Sequence, residues 1–276
     1  MDKLELLVFN VGHGLSVALI ERPENYVTLV DLGADTGFTP LKHLAFVMKL
    51  RADVLYITHP HADHLDDIET AHDKNCSPLG IQYQDYDWED VKKKEKKELA
   101  HKVDRFRELI NVVPYKTYGG AASLKCWRYT PSDAKRQFSD AAYVNNSSFF
   151  IIYTWRGFKI SIAGDLESDG MQGMLSSGEF CTEAKGTDIL IPAHHGHTNG
   201  FPTEWVAKIG KPHVSIISVQ ERDQHVDNRY SSTDFARGVT FNGEKRYRLT
   251  TRSDGSIIVT MYYGPDGSAT WSFQKF

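Results

Sequence analysis

One stretch constrains this chain more than any other: Val54-Leu55-Tyr56-Ile57-Thr58-His59-Pro60-His61-Ala62-Asp63-His64. Its opening apolar run, 54–57, has the pattern of a short buried strand. The strand stops at Thr58, and the next six positions hold three imidazoles and a carboxylate. Such groups are costly to keep face to face without a cation. Neutral imidazole and carboxylate are the ordinary donors to a borderline metal such as zinc. His59 and His61 can point one way and Asp63 and His64 another, so a single loop can serve two ions. The plainer reading, a polar loop whose histidines cap a strand end, suits a lone histidine better than this spacing.

At 276 residues the chain is long for one domain by simple division, yet two-sheet sandwiches reach this size as one unit, and a 41% hydrophobic content suffices for a large core. The expectation is one domain over 1–276. A net charge of −4 and a pI near 6.3 argue against attraction of nucleic acid by the protein as a whole, while leaving room for a local basic groove. Cys76, Cys126 and Cys181 are far apart and odd in number. That points to reduced thiols and a cytoplasmic location; each also fits as a small buried residue. The N-terminus lacks the basic and apolar regions of a signal peptide, and no run reaches membrane-spanning length.

Upstream of the motif, 4–9 and 15–20 read as strands on either side of Asn10-Val11-Gly12-His13-Gly14, whose glycines suit a tight turn with close backbone approach. His13 either reaches the metal edge or is a plain turn histidine. A third strand, 26–30, ends in Asp31-Leu32-Gly33. A carboxylate there can accept from the free N–H of a ligand histidine, or cap a turn. Thr39-Pro40 reads as a helix start, with Leu41, Leu44, Val47 and Met48 at helical spacing to about residue 50. Asp66 and Asp67 either add charge beside the metal or cap the helix that follows; the cap is the preferred reading. From about 70 to 143 the pattern weakens and reads as a helical and irregular insertion that shapes or covers the site. Within it, 88–112 is expected to be one charged helix. Its run Lys92-Lys93-Lys94-Glu95-Lys96-Lys97-Glu98 could meet phosphates, though such runs are more often solvated helix faces.

Regularity returns after Asn145-Asn146-Ser147-Ser148. Strands at 149–155 and 159–163 flank the turn Arg156-Gly157, and the second runs into Gly164-Asp165, again a carboxylate at a strand tip. A strand at 188–191 leads to Pro192-Ala193-His194-His195-Gly196-His197. One of the adjacent histidines can ligate while the other acts as an acid or orients substrate. His194 is assigned to metal and His195 to metal or acid work. A helix at 202–209 turns Trp205 inward, and a strand follows at 214–219. His225, in the polar loop beyond and near Asp223, Asp227 and Tyr230, is a last ligand, a proton donor or a surface residue. Strands at 245–251, 256–263 and 268–273 end the chain, with turns at Ser253-Asp254-Gly255 and Pro265-Asp266-Gly267.

The His-x-His-x-Asp-His stretch resembles the signature of the metallo-β-lactamase superfamily. Together with Val11-Gly12-His13-Gly14, Asp31-Leu32-Gly33, Asn145-Asn146-Ser147-Ser148, Gly164-Asp165 and His194-His195-Gly196, in that order, it resembles the ComEC/Rec2-related branch over about residues 4–220, without the membrane channel regions of ComEC. The resemblance implies an α+β fold, a four-layer αββα sandwich with a metal site at one edge. It implies two divalent ions bridged by Asp165, and cleavage of phosphodiesters, DNA strands included. His59, His61 and Asn145 would hold the first ion. Asp63, His64 and one of His194 and His195 would hold the second. Zinc is the expected ion. Many relatives have a further histidine near Asn145, and an amide is a weaker ligand, so the first ion would be more open, more loosely held, or manganese. Asn10 stands where aspartate is usual, and Asp66-Asp67 replaces a glycine pair.

In the expected mechanism a water activated by the two ions attacks phosphorus and the ions stabilise the added charge. Asp63 accepts the proton of the water, and His195 or His225 protonates the leaving oxygen. The expected substrate is a nucleic acid or nucleotide, with no membrane involved and no protein partner readable. Rival readings are hydrolysis of an amide, thioester or lactone, a di-iron redox enzyme, and a metal-bearing binding module without turnover. Di-iron relatives carry a carboxylate where His61 stands, and the full ligand set argues against a module that has lost its chemistry.

Overall fold

The apolar runs near 4–9, 26–30 and 54–57 place large side chains at both odd and even positions, as strands buried on both faces do. In the computed structural model, which describes residues 2–220, 223–264 and 268–276, these runs pair accordingly. Lys3–Val8 (β1), Val17–Arg22 (β2), Tyr26–Val30 (β3), Val54–Tyr56 (β4) and Ile81–Gln82 (β5) belong to one sheet. Ser123–Trp127 (β6), Phe150–Trp155 (β7), Phe158–Ile162 (β8), Ile189–Ile191 (β9) and Val214–Ile217 (β10) belong to a second. Val239–Phe241 (β11) and Glu244–Arg246 (β12) form a separate hairpin. Arg248–Thr250 (β13) joins the second sheet, and Ile257–Tyr263 (β14) and Ala269–Lys275 (β15) join the first.

Across the first sheet the order is β15-β14-β1-β2-β3-β4-β5, and across the second β13-β10-β9-β8-β7-β6. Pairing is antiparallel from β15 to β3 and parallel from β3 through β5. In the second sheet β13, β10, β9 and β8 run parallel, while β7 and β6 alternate.

Alternation along the strands feeds separate cores. β1 sends Leu4, Leu6 and Val8 between the sheets and Leu7 to the outer face. β7 sends Ile151 and Tyr153 inward and Phe150 and Ile152 outward. The helix His101–Val112 covers the outer face of the first sheet, burying Phe106 and Leu109 near Leu7, Leu29 and Leu55. The helices Ser168–Ser176, Gly178–Ala184 and Trp205–Lys208 cover the second sheet, with Trp205 stacked on Phe150. The layers are helix, sheet, sheet and helix, the αββα sandwich expected from the sequence.

Residues 70–143 are more regular than expected. β5 extends one edge of the first sheet and β6 one edge of the second. The single helix expected over 88–112 is two, Trp88–Lys94 and His101–Val112. Glu95 breaks the run: its backbone is extended, and its Oε1 accepts from the Ala62 N–H at 3.0 Å. Lys102 donates to the Ala62 carbonyl at 3.5 Å and pairs with Asp66. A contact more than thirty positions away in the chain thus sets this break. The helix expected after Thr39 is a turn, Pro40–Lys42, continued by a π-helical stretch, His43–Val47. Asp67 caps that earlier turn, accepting from Leu41 N–H at 3.1 Å, and makes no side-chain cap to the helix it precedes. The strand expected over 245–251 is interrupted at Tyr247, and its two halves lie in different sheets. The turn expected at Pro265-Asp266-Gly267 lies outside the described residues. Among the described residues no helix is long and apolar enough to cross a membrane, and Cys76, Cys126 and Cys181 are free.

Candidate metal centre

Parallel neighbours bring their C-terminal ends to one edge, the crevice where open α/β sheets bind ligands. Asp31 follows β3, the loop 58–64 follows β4, Asp165 follows β8, His194 and His195 follow β9, and Ser218 follows β10. β1 runs in the same direction as β3, so the turn holding His13 reaches this edge too. Two glycines permit the close approach. At Gly14 (φ +106°) a Cβ would stand 2.2 Å from the Asp63 carbonyl oxygen; at Gly164 (φ +54°) it would stand 2.8 Å from Ser148 Cβ and 3.0 Å from Thr58 Cβ. Side chains there would force the strand tips apart.

Asp63, His64, Asp165 and His195 offer ligand atoms that all lie within 4.8 Å of one another. His64 Nε2 is 3.2 Å from Asp165 Oδ1 and 3.8 Å from Asp63 Oδ2, while His195 Nε2 is 3.4 Å from both Asp63 Oδ2 and Asp165 Oδ2. Ligands about 2.1 Å from a tetrahedral ion stand about 3.4 Å apart, so this spacing fits one. The Nε2 atoms of His64 and His195 are buried without a hydrogen-bond partner. Unpaired buried nitrogens are costly, and a cation between them and the carboxylates would satisfy both.

Asp165 also faces the other half of the motif. Its Oδ2 lies 4.0 Å from His59 Nε2, which stands 3.1 Å from His61 Nδ1. The imidazoles are aimed from behind. Buried Asp31 accepts from Thr58 N–H, from Thr58 Oγ1–H and from His64 Nδ1–H, each at 2.7 Å. With its proton given to Asp31, Thr58 Oγ1 accepts from His59 Nδ1–H at 3.2 Å. His195 Nδ1–H donates to the Ser218 carbonyl at 3.3 Å. In His59, His64 and His195 the proton is therefore on Nδ1 and the Nε2 lone pair faces the site, the outer support typical of metal-ligating histidine. Asp31 thus accepts from the imidazole N–H of His64, the supporting contact expected of a carboxylate at this strand end.

The charges make the same demand. Burial opposes ionisation of Asp63 and Asp165, yet the facing His64 and His195 hold both carboxyls well below the usual range. Burial lowers His195, but Asp165 and Asp63 outweigh it and push this imidazole up to about 10; His64 is raised likewise. Burial, then His64 and His61, depress His59. The buried Asp165 and the partly buried Asp63 thus require positive charge between them, and a divalent cation can replace the protons that otherwise supply it.

Other expected residues are placed differently. His194 is half-buried; its Nδ1 is 3.2 Å from Asn199 Nδ2, and its ring stacks on His197 with centroids 5.4 Å apart. The adjacent His195, not His194, meets the carboxylates, because both residues adopt left-handed backbone (φ +50° and +53°) that turns the second imidazole inward. Asn145 is buried, with its Nδ2 donating to Glu167 Oε1 at 2.9 Å and its Oδ1 lacking a partner. His225 is exposed and packs against His197, whose Nε2 is 2.7 Å from Asp223 Oδ2. His13 lies exposed at the rim of the cluster, with its Nε2 3.5 Å from Asp63 Oδ2 and its ring 4.7 Å from that of His195. Sequence reasoning left Thr58, Ser218 and Glu95 without these roles. Thr58 alone carried a signal, sitting at the strand's last position before the first histidine.

No protein-family model matches the chain, and no curated protein does. Similar solved structures include the metallo-β-lactamase fold protein YhfI from Bacillus subtilis, at 14% identity and a TM-score of 0.48 over 82% of this chain and 89% of that one. Igni18, a metallo hydrolase from Ignicoccus hospitalis, is 14% identical with a TM-score of 0.43, over 85% of this chain and 86% of that one. A variant of the CmlA β-hydroxylase is 15% identical with a TM-score of 0.47; the match covers 80% of this chain and 46% of that longer one.

Proposed function

We propose that this chain is a metal-dependent hydrolase that holds two divalent ions, zinc in the first instance and manganese as the alternative, and cleaves phosphodiesters of nucleic acids or nucleotides. The observation that carries this reading is the position of Asp165, whose Oδ1 faces His64 and whose Oδ2 faces His195 and His59. His59, His61 and Asn145 are proposed around one ion, and Asp63, His64, Asp165 and His195 around the other. Divalent cations there would supply Lewis acidity, and with it a nucleophilic water near neutral pH.

The chain's own groups do the rest. Asp63 is the most exposed of the four clustered ligands, with 26% of its side chain accessible, so it can accept a proton from an incoming water. His13, exposed at the rim within 3.5 Å of Asp63, can hold a substrate oxygen by its N–H. His225 at the polar mouth is proposed to protonate the leaving oxygen. The buried Asp31 relay keeps the imidazoles of His59 and His64 from rotating as charge changes. A relationship to the ComEC/Rec2 branch, a single domain over 1–276 and a cytoplasmic location, the last supported by the free cysteines, belong to the same proposal.

The test is metal analysis of purified protein together with assays on bis-(p-nitrophenyl) phosphate, DNA, RNA and cyclic dinucleotides. Two equivalents of metal and turnover of a phosphodiester are expected, with loss of about a thousandfold or more in Asp165→Ala. Full metal content without phosphodiester cleavage, alongside turnover of an amide, thioester or lactone, would overturn the substrate class.

A further inference from the structure

Beside the metal loop lies a cleft of about 300 Å³, with His13, His61 and Asp63 on one wall and Lys94, Glu95, Lys96 and Leu99 on the other. The second wall is the end of the helix Trp88–Lys94 and the segment that joins it to His101–Val112. It is pinned in place by the bond from Ala62 N–H to Glu95 and by the pairing of Lys102 with Asp66. The two ammonium groups of this wall differ. Lys94 is 2.5 Å from Asp140 and 4.0 Å from Asp90, so its charge is neutralised within the protein. Among the described residues Lys96 has no ion-pair partner, although it is surrounded in sequence by glutamates that could have served. Elsewhere along the run, Lys92 is paired with Asp104 at 2.9 Å. Glu95 lies on the same wall but turns its Oε1 to the Ala62 N–H, so among the described residues Lys96 is the cleft's lysine without an ion-pair partner.

The geometry points to Lys96 as a specificity-determining residue that binds a phosphate next to the scissile one. The preferred substrate class is then a nucleotide strand with at least two consecutive phosphates, rather than an isolated phosphodiester. This rests on the reading of the site as a phosphodiesterase. A lysine there adds charge recognition at a position the reacting phosphorus does not occupy. It contributes to binding in ground state and transition state alike, which moves KM more than kcat.

Binding and turnover test this separately. Fluorescence anisotropy of a labelled phosphorothioate oligothymidylate of about ten nucleotides, titrated onto metal-loaded protein at several salt concentrations, gives the slope of log Kd against log salt. Lys96→Ala is expected to lower that slope by about 0.7, the loss of one single-strand phosphate contact, and to weaken binding about tenfold. Lys96→Arg restores both, and Lys93→Ala, altered on the neighbouring helix, changes neither. In turnover, Lys96→Ala raises KM for an oligonucleotide at nearly constant kcat and leaves kcat/KM for bis-(p-nitrophenyl) phosphate within about twofold. An unchanged salt slope, or an equal loss on both substrates, overturns the role of Lys96. Displacement of the probe by inorganic pyrophosphate more readily than by unlabelled strand overturns the strand assignment. Absence of any phosphodiester turnover by wild-type protein refutes the proposed reaction, while the salt slope still decides whether Lys96 contacts phosphate.

Discussion

Replacing Asp31 by asparagine tests how the imidazoles are held. Asparagine tolerates the left-handed backbone of this position, φ +60°, so the fold should survive. Its Oδ1 can still accept from Thr58 N–H, but the amide NH₂ replaces the oxygen that accepts from both Thr58 Oγ1–H and His64 Nδ1–H. The hydroxyl can rotate and become an acceptor. His64 Nδ1 must instead lose its proton, which moves to Nε2 and occupies the lone pair facing Asp165. Loss of such outer support costs about 10- to 100-fold in metal affinity. His59 is tied to the same carboxylate through Thr58, so the upper end is expected, about 100-fold or roughly 2.7 kcal/mol. Competition for zinc against a chromophoric chelator measures it, and far-ultraviolet circular dichroism checks that the variant is folded. A folded Asp31→Asn protein with zinc affinity within about threefold of wild type would refute the relay.

The turn before β2 and the helix-capping carboxylate give two more tests. Gly14→Ala places a methyl 2.2 Å from the Asp63 carbonyl at φ +106°; backbone strain of about 1–2 kcal/mol and a displaced Asp63 should lower both melting temperature and zinc affinity, and unaltered affinity would contradict the close approach. Burial raises Asp67, only 2% exposed, from 3.8 to about 6. Its contribution to stability is thus fully present below about pH 4, where both folded and unfolded chains are protonated, and is lost as pH rises through the folded value. Asp67→Asn keeps an acceptor for Leu41 N–H but does not titrate. Urea melts should show the variant gaining on wild type from near zero at pH 4 to at most about 3 kcal/mol at pH 8, and a pH-independent difference would contradict the assignment.

Much of this was legible in the residues because dense ligand spacing leaves few alternatives. His59 to His64 fill six consecutive positions just after a short strand, and Asp31 and Asp165 each follow a strand, so one edge of the sandwich follows from the topology. The choice between His194 and His195 was not legible. Both end the same strand, and their direction comes from two successive left-handed residues that neither histidine encodes. The break at Glu95 was hidden for a related reason: Trp88 to Val112 has good helical spacing, and only a contact with Ala62 across the fold ends the first helix. β5 has two residues, too few to signal a strand. His13 could be read either way, because its place depends on how closely Gly14 meets the Asp63 backbone.

Anomalous diffraction from crystals grown with zinc tests the central claim most directly. Two peaks are expected, one among Asp63, His64, Asp165 and His195 and a second beside His59 and His61, with Asp165 between them. A single peak, or zinc held only at other residues, would contradict it.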